Sequence, residues 1–428
     1  MSKYIIEGGQ PLSGSLRVAG AKNSSGKLIL ASILTSEPVF FENMPESGEV
    51  KIALDIAQEI GANYKFNQHQ INIQTKKIAK WDISHLSGRN RHPVLAIGPL
   101  LFRTGQAYVP ALGGDKIGKR PINFHLESLK KLGAVVEETP VGVKVTAQDL
   151  TGTKIDLPYP SVGATETLLL TTTWAKGKST INNAAVEPEV IQLIDFLNAM
   201  GAKITRVDRQ INVEGVRDFK TAQARVIPDR LEVVSYACLA LASRGRIYIE
   251  DAEPNHLASF LEFVEKIGGI YKTDSRGIEF SAKGDLLATQ ITTSPFPGFS
   301  TDWQQPSAVV LCTANGQSII HETVYTDRLG YTKDLIRMGA QIKVDDACQP
   351  NDCRYKNQGH NHVALITGPT KLTGSDSIIP DIRAGMAQVI AALIARGQSQ
   401  LTGIDHLTRG YDSLLPKLKS LGANIREA

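Results

Sequence analysis

Met200-Gly201-Ala202 closes a stretch of helical periodicity and opens an extended one, and the chain repeats this punctuation at five other places. They are Ile60-Gly61-Ala62, Leu132-Gly133-Ala134, Ile267-Gly268-Gly269, Met338-Gly339-Ala340 and Leu421-Gly422-Ala423. Successive glycines lie 72, 68, 67, 71 and 83 residues apart. A period of roughly 70 residues held along the chain means one supersecondary unit in six copies.

The last copy shows the unit most plainly. Asp381 precedes a long Ala/Leu/Ile body that stops at Arg396-Gly397, an acid at the start and a glycine at the end being helix boundary signals. This helix is apolar nearly all round, so it is expected to be buried. A strand at Ser399-Gln-Leu-Thr-Gly403, a loop, and an amphipathic helix through Leu414, Leu415 and Leu418 follow. Corresponding first helices are read to Gly105, Gly177, Gly245 and Gly316, whereas the first copy has Thr35-Ser36-Glu37 there. Each copy is then helix, strand, helix and two more strands. The fold class is α/β, two domains of three copies, apolar helices around a common axis with sheets outside. Strand-like segments run into the first helices of copies one and four near Val18–Lys22 and Ile227–Arg230, which sets the expected lobes at 22–227 and at 1–21 plus 228–428. No Gly-x-Gly-x-x-Gly follows a strand and there is no Walker loop, which disfavours a Rossmann or P-loop reading.

Composition narrows the classes further. With 42% apolar and 21% charged residues, the 428-residue chain reads as an ordinary globular protein. A net charge of +4 is too small and diffuse for a nucleic-acid track, though it suits a local anion pocket. No apolar run reaches the length of a membrane helix, and nothing in the sequence requires an oligomer. Four cysteines and a start without a signal-peptide apolar region lead us to expect a reducing cytoplasm. The 83-residue step reflects a polar insertion near 345–362 holding Cys348, Cys353, His360 and His362. Its ligand types suit zinc, but the stretch reads as a hairpin loop, so neither a metal nor a cofactor is expected.

The chemistry gathers at the starts of the first helices. Copies one to three open with Ala19-Gly-Ala-Lys22-Asn23-Ser24-Ser25, Arg89-Asn-Arg91-His-Pro93 and Pro160-Ser161-Val162-Gly163-Ala-Thr-Glu166. Copies four to six open with Pro228-Asp-Arg-Leu-Glu232, Thr301-Asp302-Trp-Gln304 and Asp381-Ile-Arg383. Helix N-termini favour phosphate and carboxylate. Asp229, Asp302 and Asp381 have a plain alternative as caps, but cations such as Lys22 and Arg91 oppose the helix dipole and need another reason to be there. Leu112-Gly-Gly-Asp115-Lys116-Ile-Gly118-Lys119-Arg120-Pro121 sets three cations and three glycines around one carboxylate, an anion-seeking loop of the kind that serves as a lid.

These residues resemble the UDP-N-acetylglucosamine enolpyruvyl transferases. The resemblance runs from Tyr4 to Ile425 through Gly20-Ala-Lys-Asn23, Gly113-Gly-x-x-Ile-Gly-x-Arg-Pro121, Ser161-Val-Gly-Ala-Thr165, Glu187-Pro-Glu189, Pro228-Asp-Arg230, Thr301-Asp302, Glu322-Thr-Val324, Arg328, Arg337-Met-Gly-Ala340, Asp381-x-Arg383 and Arg409-Gly-Tyr411. It implies the two-domain inside-out α/β barrel and the transfer of an enolpyruvyl group from phosphoenolpyruvate to the 3-hydroxyl of UDP-N-acetylglucosamine, the first committed step of peptidoglycan precursor synthesis. It further implies that Lys22, Arg120 and Arg409 hold the phosphate of phosphoenolpyruvate, and that Arg328 and Arg383 hold or support its carboxylate. Asn23 and the backbone of Val324 would meet the sugar, with Asp302 accepting the proton of the attacking hydroxyl. Arg91, the stretch Arg120, Pro121, Ile122, Asn123 and Phe124, and Ser161, Val162 and Gly163 would frame the uridine diphosphate, and Asp381 would orient the arginines.

One departure bears on the chemistry. The loop position most often occupied by cysteine in that family is Asp115 here. A carboxylic acid can serve as the general acid, and the change removes the thiolate attacked by fosfomycin-type epoxides. Ser24-Ser25-Gly26-Lys27 after Asn23, Tyr159, and Thr408 before Arg409 also depart from the usual pattern. They leave open a paralogue acting on another nucleotide, while the related shikimate 3-phosphate enzyme and a catalytically silent sugar-nucleotide binder are the remaining alternatives.

Overall fold

The computed structural model describes residues 2–86, 88, 90–113, 121–347, 353, 355–356 and 358–428. The six triplets are six copies of one helix stop. In each, the residue after the glycine donates its N–H to the carbonyl five positions back: Ala62 to Ala57 (2.9 Å), Ala134 to Leu129 (3.0 Å), Ala202 to Leu197 (3.0 Å), Gly269 to Val264 (2.8 Å), Ala340 to Leu335 (2.9 Å) and Ala423 to Leu418 (3.1 Å). That bond satisfies a carbonyl the helix leaves over and requires the intervening residue at positive φ, here 76° to 123°. Glycine reaches such angles without a Cβ clash.

The six first helices are α1 (Lys22–Ala31), α2 (Ile97–Thr104), α3 (Val162–Thr172), α4 (Arg230–Ala242), α5 (Gln304–Cys312) and α6 (Ile382–Ile394). They are buried almost completely. Helix α3 carries four threonines into that environment, and Thr165, Thr171 and Thr172 return their hydroxyls to carbonyls one turn back at 2.6–2.9 Å. The first helices stop earlier than the glycine signal suggested, at Ala242 rather than Gly245 and at Cys312 rather than Gly316. In the fourth copy the positive φ falls on Arg244 (60°) rather than on Gly245, whereas Gly316 carries it (109°) as the first residue of a strand. Of the five copies with a glycine at this point, only the fourth places the left-handed angle one residue earlier.

The described residues form two compact units, one containing the chain up to Ala19 with Pro228–Ala428, the other the described residues between Gly20 and Ile227. Each has its own hydrophobic core. In the first unit α4, α5 and α6 pack against one another, and in the second α1 and α3 both pack against the 3-10 turn His92–Ala96 that leads into α2. Three sheets belong to each unit. The strand after the first helix takes an antiparallel partner from the following hairpin and a short parallel strand on its other side, as Lys178–Asn182 does with Gln210–Glu214 and Lys154–Asp156.

Two sheets complete themselves from far along the chain. Ser13–Arg17 runs parallel to Arg246–Glu250 in the first unit, and Gln223–Arg225 runs parallel to Val39–Glu42 in the second. In the sixth copy the hairpin partner is the N-terminal strand, with Lys3–Glu7 lying between Gln398–Thr402 and Asn424–Glu427. The insertion joins Gln341–Asp345 to Val363–Gly368, an antiparallel pair in register from Asp345 opposite Val363. Among the described residues no helix is long and apolar enough to cross a membrane.

Candidate active site

In the first unit the starts of α4, α5 and α6 gather titratable side chains into one network. Two of the three aspartates are caps. Asp229 accepts from the N–H groups of Leu231 (2.8 Å) and Glu232 (3.2 Å), and Asp381 from those of Arg383 (2.8 Å) and Ala384 (2.9 Å). Asp302 is not, because Ser300 caps its turn by accepting from the Asp302 N–H at 3.3 Å. The Asp302 carboxylate instead takes Arg328 Nη2 on Oδ1 at 2.5 Å and Arg383 Nε on Oδ2 at 3.2 Å.

Both arginines are buried, with side chains 3% and 7% exposed against 24% for Asp302. Burial works against their charge, but the neighbouring anionic and phenolic groups outweigh it and raise both above the ordinary arginine value: Asp302, Asp381 and Glu322 around Arg328, and Tyr411, Asp302 and Asp229 around Arg383. Both therefore stay cationic. Arg383 Nη1 donates to Tyr411 Oη at 3.3 Å, and that hydroxyl pairs with Ser235 Oγ at 2.8 Å. Asp381 thus orients Arg383 through its backbone rather than by gripping the guanidinium.

Glu322 organises the adjoining loop. Wholly buried, its carboxylate accepts from Thr301 Oγ1 (2.8 Å), Gln304 Nε2, and the N–H groups of Val324 (2.7 Å) and Tyr325 (2.9 Å). Burial raises its pKa despite these donors. The Val324 N–H is therefore already engaged, and its carbonyl accepts from Tyr355 Oη at 2.7 Å. Arg409 is half-buried in the short helix Asp405–Gly410. Arg230 was quoted in the sequence only as part of a motif. It lies buried over the rings of Trp303 (5.4 Å) and Phe296 (5.5 Å), a cation held by aromatic faces at the start of α4.

In the second unit Lys22 is the first residue of α1 and half-buried, next to exposed Asn23, and its helix has no side-chain cap. The unusual run that follows faces inward. Ser24 Oγ donates to Gln192, Lys27 pairs with Glu166 inside the core, and a Cβ on Gly26 would fall 2.2 Å from the His92 ring. His92 is in turn held by Glu49 at 2.9 Å. Burial raises Glu166 despite Lys27. Ser24 to Lys27 are thus internal packing, which removes their value as markers of the acceptor.

Ser161 caps α3 by accepting from the Ala164 N–H at 3.3 Å, with Val162 and Gly163 half-buried beside it. His125 lies against Gly163, its Nδ1 2.8 Å from Thr167 Oγ1. Burial, with the nearby Arg91 cation second, lowers His125 to about 3, so it is a neutral imidazole. Nothing in the sequence singled it out, since it is one histidine in the helix Asn123–Lys131. Pro121 and Asn123 are exposed where that helix begins, with Ile122 and Phe124 half-buried. Asp115 and Arg120 lie outside the described residues. A cavity of about 560 Å³ lined by Phe102, Arg103, Trp174 and Arg217 sits at the far end of α2 and includes none of the predicted site residues.

Residues 6–418 match the family model described as EPSP synthase (3-phosphoshikimate 1-carboxyvinyltransferase). Three relatives carry the name UDP-N-acetylglucosamine 1-carboxyvinyltransferase. That of Protochlamydia amoebophila is 42% identical, covering 99% of this chain and 94% of its own. That of Chlamydia trachomatis serovar D is 43% identical over 97% and 95%, and that of Halothermothrix orenii 36% identical over the whole of both. In fold, the chain matches the enolpyruvyl transferase NikO from Streptomyces tendae with a TM-score of 0.87 at 24% identity, covering 100% of this chain and 99% of that one. An EPSP synthase from Acinetobacter baumannii matches with a TM-score of 0.74 at 17% identity over the whole of both chains. The two-domain α/β fold built from six copies is therefore that of the enolpyruvyl transferases, and the chain belongs to the family of the UDP-N-acetylglucosamine 1-carboxyvinyltransferases.

Proposed function

We propose that this protein transfers the enolpyruvyl group of phosphoenolpyruvate to the 3-hydroxyl of UDP-N-acetylglucosamine with release of phosphate, and so begins peptidoglycan precursor synthesis in the cytoplasm. The names of relatives about 40% identical along the chain support the reaction. The observation that carries it chemically is one carboxylate, Asp302, held between two buried cations, Arg328 and Arg383.

A substrate that brings its own carboxylate can replace Asp302 on these planar, two-pronged donors. Asp302 then loses the partners that keep it a weak base, and its basicity rises as a hydroxyl arrives. The acceptor oxygen bonds to C2 of phosphoenolpyruvate while C3 takes a proton from Asp115, giving a tetrahedral ketal, and Asp302 receives the hydroxyl proton. C3 next returns a proton to the Asp115 carboxylate, the C2–O bond to phosphate breaks, and its electron pair leaves with phosphate as the vinyl ether forms.

In this reading Lys22, Arg120 and Arg409 bind the phosphate. Asn23 and the backbone of Val324 meet the sugar, the Val324 N–H being held by Glu322 and its carbonyl by Tyr355. Arg91, Pro121 to Phe124 and Ser161 to Gly163 frame the uridine diphosphate, and the neutral His125 keeps a second cation away from Arg91. The test is phosphate release from phosphoenolpyruvate with UDP-N-acetylglucosamine, with shikimate 3-phosphate, with other nucleotides, and with no acceptor. Release is expected with UDP-N-acetylglucosamine alone. Release only with another acceptor replaces the substrate, and tight sugar-nucleotide binding without release makes the chain a binder.

A further inference from the structure

His321 ends the strand Gly316–His321 and lies opposite Val363, so it meets His362 across the sheet, their ring centroids 5.3 Å apart. Cys353 comes in from the insertion. All three are buried, 1%, 1% and 8% exposed, and one ligand atom from each falls within 4.8 Å of the others. We propose that His321, Cys353 and His362 bind one transition-metal ion of the zinc class, which fastens the 345–362 insertion to the end of its sheet.

The geometry suits a metal. Cys353 Sγ and His362 Nε2 are 3.4 Å apart, close to the roughly 3.6 Å that separates sulfur and nitrogen on one tetrahedral zinc. His362 Nδ1 faces the carbonyl of His360, which can only accept, so the ring donates there and turns an unprotonated Nε2 toward the sulfur. A ligating histidine is fixed in the same way when its second nitrogen donates to a carbonyl. The Tyr355 N–H donates to Cys353 Sγ at 3.4 Å, holding the sulfur in place beside the two rings. One thiolate and two imidazoles prefer zinc or a similar borderline-to-soft ion over magnesium or calcium. The site differs from the one the spacing suggested: His321 comes from outside the insertion, His360 contributes a carbonyl, and Cys348 lies outside the described residues.

Its position gives such an ion a use. Tyr355, two residues after Cys353, holds the Val324 carbonyl at 2.7 Å, so fastening Cys353 also fixes the loop between Glu322 and Arg328. The effect on acceptor binding rests on the function proposed above, whereas the metal site does not.

The test uses full-length protein purified without chelator, metal analysis by mass spectrometry, and titration of the stripped protein with Co2+. About one zinc per chain is expected, together with a near-ultraviolet thiolate-to-cobalt band. Cys353→Ser loses that band, His321→Gln weakens cobalt binding at least about tenfold, and Cys238→Ser in α4 keeps both. Wild-type protein with neither bound zinc nor a thiolate–cobalt band overturns the proposal, as does a band that survives Cys353→Ser. Should the variants not fold, the cobalt spectrum of the wild type alone decides. A second readout is the KM for UDP-N-acetylglucosamine, which rises severalfold on stripping. An unchanged KM beside a positive cobalt titration removes only the link to Val324, and no turnover with any acceptor refutes the proposed function while leaving the metal site standing.

Discussion

Asp229, Asp302 and Asp381 look alike in the sequence, each an acid at the start of an apolar helix, and they part only in what their carboxylates touch. Two satisfy backbone N–H groups, and the third is shared by Arg328 and Arg383. The local pattern does not show that distinction, because the arginines lie 26 and 81 residues away, and only the family resemblance set Asp302 apart. Asp302→Asn keeps an acceptor for one guanidinium but cannot take a proton, so we expect phosphate release to fall by about 10²- to 10⁴-fold, with the unfolding midpoint checked alongside it. Near-normal turnover removes Asp302 from the proton transfer. Asp115 leads to a second expectation, no time-dependent inactivation by a fosfomycin-type epoxide, with Asp115→Cys becoming sensitive because only then is a thiolate present. A third concerns His125, which the sequence did not distinguish and burial defines. Its pKa is lowered from 6.5 to about 3 in the folded state, so the unfolded chain takes up a proton that the folded chain refuses. Its contribution is complete above pH 6.5 and is lost as pH falls toward 3, at about 1.4 kcal/mol per pH unit. The stability advantage of wild type over His125→Gln in urea unfolding therefore shrinks by about 2 kcal/mol between pH 7 and pH 5, and an advantage that stays constant counts against it.

Helix stops were the most legible elements because everything that makes them is local. The buried apolar residue, the glycine at positive φ and the N–H that reaches five residues back all lie within one turn. Gly422→Ala isolates the backbone part, since φ is 90° and nothing lies within 4 Å of the added Cβ. A loss of about 1–2 kcal/mol in thermal or urea unfolding is expected, and an unchanged stability means that the stop does not depend on the left-handed angle. Elements closed by distant partners were harder to read. Helix starts could be placed, yet Ser24 to Lys27, a departure from the family pattern that bore on the acceptor, prove to be internal, because Gln192, Glu166 and His92 come to them from other copies. The cluster in the insertion was half visible for the same reason: Cys353 and His362 stand near each other in sequence, while His321 reaches them only through strand register.

Over the whole chain, repetition announces six similar copies but hides how the two ends are used. Copy one takes an edge strand from the end of its own half, copy four takes one from the segment that precedes the other half, and copy six takes its inner strand from the N-terminus. The two units are therefore unequal as pieces of chain. Residues 20–227 contain every strand of their own sheets, and we expect that fragment to unfold cooperatively by itself. Residues 228–428 lack Lys3–Glu7 and Ser13–Arg17, and with them the buried Tyr4, Ile6, Leu12, Leu16 and Val18. At roughly 1.5–3 kcal/mol for each side chain, that loss rivals the whole stability of an ordinary domain, about 5–15 kcal/mol. The second fragment should thus be unfolded alone. It should fold once residues 1–19 are joined behind Ala428 by a turn of a few residues, because Lys3 and Ala428 already exchange backbone hydrogen bonds at 2.9 and 3.1 Å. Circular dichroism and urea titration of the three polypeptides check this. A cooperative transition in 228–428 without the N-terminal strands shows that they are accessory, and failure of the rejoined chain to fold shows that the two units depend on each other for stability.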